Sequence, residues 1–388
     1  MIAPVPFFEP RGTPIAVLGR LKALSRIGHE VDLITYHVGK DIFMPGVKIN
    51  RTPNLRFIKE VPVGPSWVKV FLDFFVIGKA VRMMIGNSYD LLHTHEEGSI
   101  FGAFLSKLFK LPHLYDFHSS IPQALCNFGY DKFPFLISLF EWIERIVISS
   151  SNALIANSPE LANYVRKIDK NIPLVVIEDI FEAVDSNSVS EESIRKLREE
   201  YSLSDGEKIV LYVGTFERYQ GLDLLIDSVE AVSKRINKVK FVLVGGRPNQ
   251  IQRYRDKANE RGLSSFFLFT GTRPPEEIPI FINIANMLVS TRIKGANPPL
   301  KLYSYLRSGK PIVATNHISH TQVINSEIAY LVEPNAEEIA EGIIYMLENP
   351  GISGEMGARA RQFFERNYNY DTFVESTDRI LRSAVNKD

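Results

Sequence analysis

A single cysteine, Cys126, stands in the 388 residues. It excludes an internal disulfide and a cysteine-based zinc cluster, and it fits a reducing, cytoplasmic compartment. Neither charge sign is in excess, since Lys plus Arg and Asp plus Glu both number 45. A global basic field that attracts nucleic acid is therefore not expected, and any anion site must be built locally. Long apolar runs are missing too. The most apolar stretch, Val68 to Ile85, is broken by Lys69, Asp73, Lys79 and Arg82, which is too polar for a spanning helix of about 20 apolar residues. The opening MIAPVPFFEPRG lacks a basic start followed by an apolar run, so no export signal is expected. No Asp-X-Asp pair, Gly-X-Ser-X-Gly elbow or Walker lysine loop occurs. Chemistry through an aspartate-held divalent cation, a serine nucleophile or a P-loop is thus unsupported, and no metal or cofactor is expected.

What is there is the composition of a folded protein, 45% hydrophobic and 23% charged, in a chain long enough for two domains. The opening reads as strand MIAPVP, loop FFEPRG and a helix with Thr13 as N-cap and Pro14 in its first position, closed by Gly28 before the strand VDLITY. Val17, Leu18, Leu21 and Leu24 recur at helical spacing and give that helix a buried face. Further short apolar runs, YDLLHTH, HLYDFH, NALIANS and LVVIED, alternate with helical patterns at Ser99 to Phe109 and Phe135 to Ser149, which argues for a parallel sheet. Ala183 to Glu192 is polar and suits a linker. Beyond it the rhythm restarts with KIVLYVG, a helix from Gly221 to Arg235, KFVLVGG, FFLFTG, MLVST and PIVAT.

The expected fold is α/β with two Rossmann-like doubly wound domains facing a cleft. The first covers 1–182, the linker 183–192, the second 193–366 and a terminal helix 367–388, with helices of the run Asn335 to Val385 packing back on the first domain.

In open parallel sheets ligands bind beyond the carboxyl ends of the strands. Four loops there carry the candidates. Pro10 to Thr13 offers Gly12 for close backbone approach. Val213 to Gly221 offers Gly214, Thr215, Arg218 and Gln220 between two glycines. Gly245 and Gly246 follow the next strand. Each is also what an ordinary strand-to-helix turn uses. The fourth loop, Lys294 to Lys301, is the most informative, because Asn297 reads as an N-cap with Pro298 in the first turn and Lys301 inside it. A lysine there opposes the helix dipole unless an anion binds at that end. Helical spacing puts Ser304 and Tyr305 on the face of Lys301. His118 ends the strand HLYDFH, where it could exchange a proton or hold a substrate, although a lone histidine is more often structural. His93 and His95 share one strand face, and no third ligand at metal spacing accompanies them.

With these loops in view the chain resembles retaining glycosyltransferases of the GT-B fold, family 4, over nearly its whole length. VGTFERYQGLDLLI, KFVLVGG and LKLYSYLRSGKPIVAT carry the likeness in order and spacing. The resemblance implies a hexosyltransferase-type enzyme. It implies a nucleotide-sugar donor, UDP-linked by preference, held in the second domain near Gly246, Arg273 and the helix from Pro298. It also implies Gly12 against the donor phosphates, His118 near the reacting sugar, and a saccharide or lipid-linked acceptor in the first domain. Polysaccharide or glycoconjugate synthesis in the cytoplasm follows, with peripheral contact at the inner membrane face suggested by the Trp, Phe, Lys and Arg of Trp67 to Met84.

Three departures stand out. Thr215 replaces the usual arginine, Gln220 the usual lysine, and the two family glutamates fall on Ala296 and Ser304. Arg218 and Lys301 are then the nearest cations for the pyrophosphate. Two alternatives remain beside the transferase, a catalytically weakened nucleotide-sugar binder and a sugar-nucleotide hydrolase or epimerase.

Overall fold

The computed structural model describes residues 1–9, 12–178, 189–204, 206–295 and 297–385. It divides into two units, one formed by Met1–Phe181 with Asn369–Asp388 and the other by Glu182–Tyr368.

In the first unit β1 (Val31–Thr35) pairs in parallel with β2 (Val47–Arg51). β3 (Leu92–His95), β4 (His113–Phe117), β5 (Ala153–Ala156) and β6 (Leu174–Val176) form a parallel four-stranded sheet in that order. Ile2 bridges both sets, pairing with Ile34 on one side and Thr94 on the other. The expected strand MIAPVP is corrected to this one bridging residue, because Pro4 and Pro6 have no N–H to extend a ladder. Around the sheet lie α1 (Gly12–Ile27), α2 (Trp67–Gly86), α3 (Gly98–Phe109), α4 (Ile121–Asn127), α5 (Pro134–Ser150) and α6 (Pro159–Ile168). The order of pairing reverses between Ile2 and β3, since the chain runs from Ile2 outward to β1 and β2 and later from β3 outward to β6. That reversal is the topological switch point, where such sheets open a crevice. Thr13 lies inside α1 and is not its N-cap. Its hydroxyl instead donates to Glu96 Oε1 at 2.6 Å, across the switch point.

The last helix, α15 (Tyr370–Val385), belongs to this unit. Its Phe373, Ile380, Leu381 and Ala384 pack with Ala23, Leu24, Leu114 and Ile155, so the expected return of a C-terminal helix to the first domain is observed for this helix.

The second unit begins with α7 (Glu191–Glu200), capped by the Ser190 hydroxyl. Of the expected linker, residues 183–188 lie outside the described residues, and Glu191 and Glu192 are the first turn of α7, where their charges suit the helix dipole. Its sheet is all parallel. The strands are β7 (Lys208–Val213), β8 (Val239–Val244), β9 (Phe267–Gly271), β10 (Met287–Ser290), β11 (Ile312–Thr315) and β12 (Tyr330–Val332), in the order β12-β11-β10-β7-β8-β9. The short strands β2 and β12 have no counterpart in the sequence reading. α8 (Leu222–Arg235), α9 (Pro248–Glu260), α10 (Ile278–Ile284), α11 (Lys301–Ser308), α12 (Ile318–Thr321), α13 (Ala336–Glu348) and α14 (Pro350–Asn367) surround it. The central strands are apolar and buried on both faces, as a sheet covered by helices requires. Here the order reverses between β7 and β10, and the loops after those two strands frame the crevice.

Candidate active site

At the switch point of the second unit, the loop after β7 and the start of α11 meet. Lys301 is the first residue of α11, and its Nζ lies 3.8 Å from the centroid of the Tyr212 ring and 3.4 Å from Gln220 Oε1. A Cβ at Gly214 would stand 3.4 Å from the same nitrogen, so glycine leaves the loop backbone open toward the ammonium. Burial strips water from Nζ and holds its pKa well below the ordinary lysine value, and the nearby charge of Arg292 pushes the same way. Among the described residues no carboxylate pairs with Lys301 or Arg292.

Tyr305, one turn along α11, is buried. It accepts the Val213 N–H at 3.0 Å through its hydroxyl and thereby ties the helix to the end of β7. The expected shared face of Lys301 and Tyr305 is thus present, and Ser304 is half-buried. Asn297 is not the N-cap of this helix, contrary to expectation. Leu300 holds the cap position, and Pro298 and Pro299 are buried before the helix begins, so its first turn starts three residues later than the sequence signal implied. Ala296 lies outside the described residues.

The rest of the loop is held through its backbone carbonyls. The Tyr212 hydroxyl donates to the Thr215 carbonyl at 2.8 Å, and the Thr291 hydroxyl donates to the Gln220 carbonyl at 2.9 Å. Gly221 has φ +70°, and a Cβ there would run into the Thr291 carbonyl. Gly246 has φ +82°, and a Cβ would strike the Phe216 ring. Both positions need glycine for packing of the loop itself.

Arg218 is exposed in a single turn of 3₁₀ helix, Arg218–Gln220. The second cation acting on Lys301 is Arg292, two residues beyond β10, which the sequence reading missed. Its guanidinium lies 5.1 Å from the Tyr219 ring centroid, and its Nε donates to the Lys294 carbonyl at 2.8 Å. The signal available was its place just past a strand end at the switch point. Arg273 is engaged elsewhere, 2.5 Å from Glu200 and 3.7 Å from Glu277, with its guanidinium 5.3 Å from the Tyr201 ring centroid.

In the first unit the polar side chains of β3 and β4 form a second cluster. The register sets His93 opposite Leu114 and His95 opposite Asp116. His118 follows β4 directly, and its Nε2 lies 2.9 Å from His95 Nδ1 and 3.2 Å from Asp116 Oδ1. The His93 and His95 rings stack at 4.8 Å and those of His95 and His118 at 5.1 Å. Arg20 of α1 donates from Nε to Asp116 Oδ2 at 2.9 Å and from Nη1 to the Thr377 hydroxyl of α15 at 2.7 Å.

Burial alone would raise the Asp116 carboxyl, but Arg20 and then the surrounding histidines override it and hold the group well below the usual carboxylate range. Burial keeps the His95 imidazole well below its ordinary value. The absence of a third group beside His93 and His95 is corrected by this register. Asp116 brings three potential ligand atoms within 4.8 Å of one another, on a neighbouring strand that spacing along the chain does not reveal. Arg20 already neutralises that carboxylate, which leaves little charge for a metal ion.

At the edge of the same sheet Glu96 adopts φ +50°, uncommon for a side-chain-bearing residue. Its Oε1 takes the Thr13 hydroxyl and its Oε2 the Ser119 hydroxyl at 3.2 Å. Gly12, at φ +32°, is exposed with open space where a Cβ would lie. Pro10 and Arg11 lie outside the described residues.

Two doubly wound parallel units in one chain define a GT-B-type protein. Family models agree: that for Glycosyl transferases group 1 matches residues 193–363, and that for Glycosyltransferase Family 4 matches residues 11–178. The chain belongs to the family 4 glycosyltransferases, and it is an enzyme of that kind. It is similar to an uncharacterized glycosyltransferase of Methanocaldococcus jannaschii, 23% identical over 92% of this chain and 94% of that one. Among solved structures it is similar to sucrose-phosphate synthase from Thermosynechococcus elongatus, with a TM-score of 0.77 at 19% identity over 98% of both chains. Anabaena HepE in complex with UDP and glucose is similar too, with a TM-score of 0.77 at 16% identity over 98% of this chain and 99% of that one.

Proposed function

We propose that the chain transfers a sugar from a nucleotide-sugar, a UDP-sugar first among candidates, to a saccharide or lipid-linked acceptor, with retention and without a metal, in polysaccharide or glycoconjugate synthesis at the cytoplasmic side of a membrane. The observation that carries this reading is Lys301. An ammonium withdrawn from water at a helix N-terminus, beside Arg292 and with no carboxylate among the described residues, is a place that a diphosphate stabilises. The UDP and glucose complex of HepE, a protein of the same fold, supports a uridine nucleotide.

In this mechanism Lys301, Arg292 and the backbone N–H groups of the Gly214 loop stabilise the leaving diphosphate, and Arg218 reaches the same phosphates from the loop surface. Gln220 orients Lys301. The ribose and base lie toward Gly246, Arg273, Asn297 and Pro298, and Ser304 takes the place of a family glutamate near the donor. In the first unit, Gly12 leaves the backbone open to close approach. His118, fixed by His95 and Asp116, holds a hydroxyl of the transferred sugar. The acceptor oxygen attacks the anomeric carbon on the face that the diphosphate leaves. The bond to the diphosphate oxygen breaks, and that oxygen takes the acceptor proton.

The non-acidic Ser304 favours one second reading, a nucleotide-sugar binder with little turnover. Incubation of purified protein with UDP-sugars and a lipid-linked saccharide extract, followed by NMR of the product, tests the proposal. A new glycoside with the anomeric configuration of the donor supports it. Tight donor binding with neither product nor free UDP formed moves the assignment to the binder.

A further inference from the structure

A soluble helix on a sheet buries one apolar stripe and turns a polar face to water. Three neighbouring helices of the first unit depart from this. α2 buries Leu72, Val76 and Ala80, yet Trp67, Val70, Phe71 and Phe74 form a second, outward stripe at spacings of three and four, with Trp67 86% exposed. α5 buries Val147 and Ile148 and turns Phe135, Leu139, Trp142 and Ile146 outward at the same spacings, with Phe135 83% and Trp142 61% exposed. α3 packs against both helices and adds Phe104 and Leu108.

Among the described residues, large exposed apolar side chains number five on α2, two on α3 and five on α5 with its cap residue Phe133, and only seven elsewhere. Soluble surfaces rarely gather such side chains in one place without a partner. The polar residues between them lean one way. Arg82, Lys107, Lys110, Lys132 and Arg145 are exposed between residues 67 and 150, against three exposed acids, in a chain of zero net charge. Among the described residues no helix is long and apolar enough to cross a membrane.

We propose that the outer faces of α2, α3 and α5 form one docking surface for an anionic lipid bilayer, with the Trp and Phe rings inserted at the headgroup level and the exposed cations on the phosphates. Tryptophan and phenylalanine with flanking lysine and arginine are the side chains that the lipid interface recognises. A second copy of this chain would not call for the positive excess, because a self-complementary face that is positive repels itself. The surface deepens the reading of peripheral membrane contact and rests on it. It extends that contact from the single stretch 67–84 to three helices that only the fold brings together.

The test is co-sedimentation of the full chain with vesicles of phosphatidylcholine and phosphatidylglycerol in a three-to-one ratio, and with phosphatidylcholine alone. The proteins are the wild type, a W67S/F135S/W142S variant, and a remote control carrying Y345S and I352S. UDP titration and thermal melting of each protein run alongside. Expected is partition of the wild type and the control onto the anionic vesicles, about ten-fold lower for the triple variant, with UDP affinity and melting temperature unchanged in all three. Equal partition of wild type and triple variant, or partition of neither, overturns the docking surface while leaving the transferase reading in place. A wild-type dimer in sedimentation velocity that the triple variant abolishes also overturns it and makes the face a self-association surface. Loss of UDP binding by the wild type counts against the transferase reading alone.

Discussion

Lys301 carries its charge where water is largely withdrawn, against the Tyr212 ring and the Gln220 side-chain oxygen. Its folded-state pKa is lowered, by burial first and Arg292 second. The unfolded chain therefore binds more protons than the folded one between that lowered value and the ordinary lysine value, and the lysine costs stability that is recovered as pH rises through this window. Replacing it with methionine should raise the melting temperature of the free protein at neutral pH by about 2–4 °C, on the order of 1 kcal/mol, and scanning calorimetry reads this directly. UDP binding should raise this pKa back toward the ordinary lysine value, so in the pH range where the free lysine titrates, binding takes up protons and its enthalpy changes with the ionisation heat of the buffer. An enthalpy independent of buffer would disconnect the lysine from the ligand.

Asp73 gives a second titration. Burial first, then Glu97, raise its carboxyl to about 7, while the Tyr36 hydroxyl donates to it at 2.7 Å. The folded state keeps this proton where the unfolded state has lost it, so stability from this group is present at low pH and lost as pH rises from about 4 to about 7. Asp73→Asn should flatten that part of the stability profile, and urea melts at pH 5 and pH 8 should show a smaller difference than the wild type. The opposition of Lys301 to its helix dipole was legible in the sequence because it needs only a helix start and a charge. Arg292 and Asp116 were not, because their roles arise from strand pairing and from a loop that folds back on the β7 turn.

Elements set these residues in place, and the glycines at the loop joints bear the strain. Gly221 combines φ +70° with the Thr291 carbonyl where a Cβ would go. Gly221→Ala should destabilise the second unit by about 2 kcal/mol or more and weaken UDP binding. Gly12→Ala, with open space around its Cβ, should cost no more than about 1 kcal/mol; comparable losses in both variants by chemical denaturation would remove the distinction. Most strands of both sheets were readable from their apolar runs, since parallel strands buried on both faces advertise themselves. The exceptions have physical causes. β2 is VKINR, polar and at the sheet edge, and β12 has three residues. Asn297 carried a valid cap signal, but the two prolines continue the extended loop, and the helix waits until Lys301.

At the scale of the whole molecule the chain closes its first unit with its last helix. Arg20 reaches both Asp116 of β4 and Thr377 of α15, and Phe373 lies under its guanidinium at 4.8 Å. Ending the chain at Tyr368 would expose the α1 and β5 core and strip Arg20 of one partner. The truncated protein should lose the cooperative melt of the first unit, while a melt of the second unit should persist. Periodicity placed helices in the tail, but which one returns to the first sheet is set by α15's apolar face of Phe373, Ile380 and Leu381 matching Leu24 and Ile155. The most direct test of the central claim, that the second unit's switch point holds a nucleoside diphosphate on Lys301 and Arg292, is calorimetric titration of wild type, Lys301→Met and Arg292→Gln with UDP, GDP, ADP and CMP. Binding of a diphosphate is expected, UDP tightest, weakened about 30-fold in each variant, about 2 kcal/mol. Equal affinity in all three proteins, or binding of none of the four nucleotides by the wild type, would contradict it.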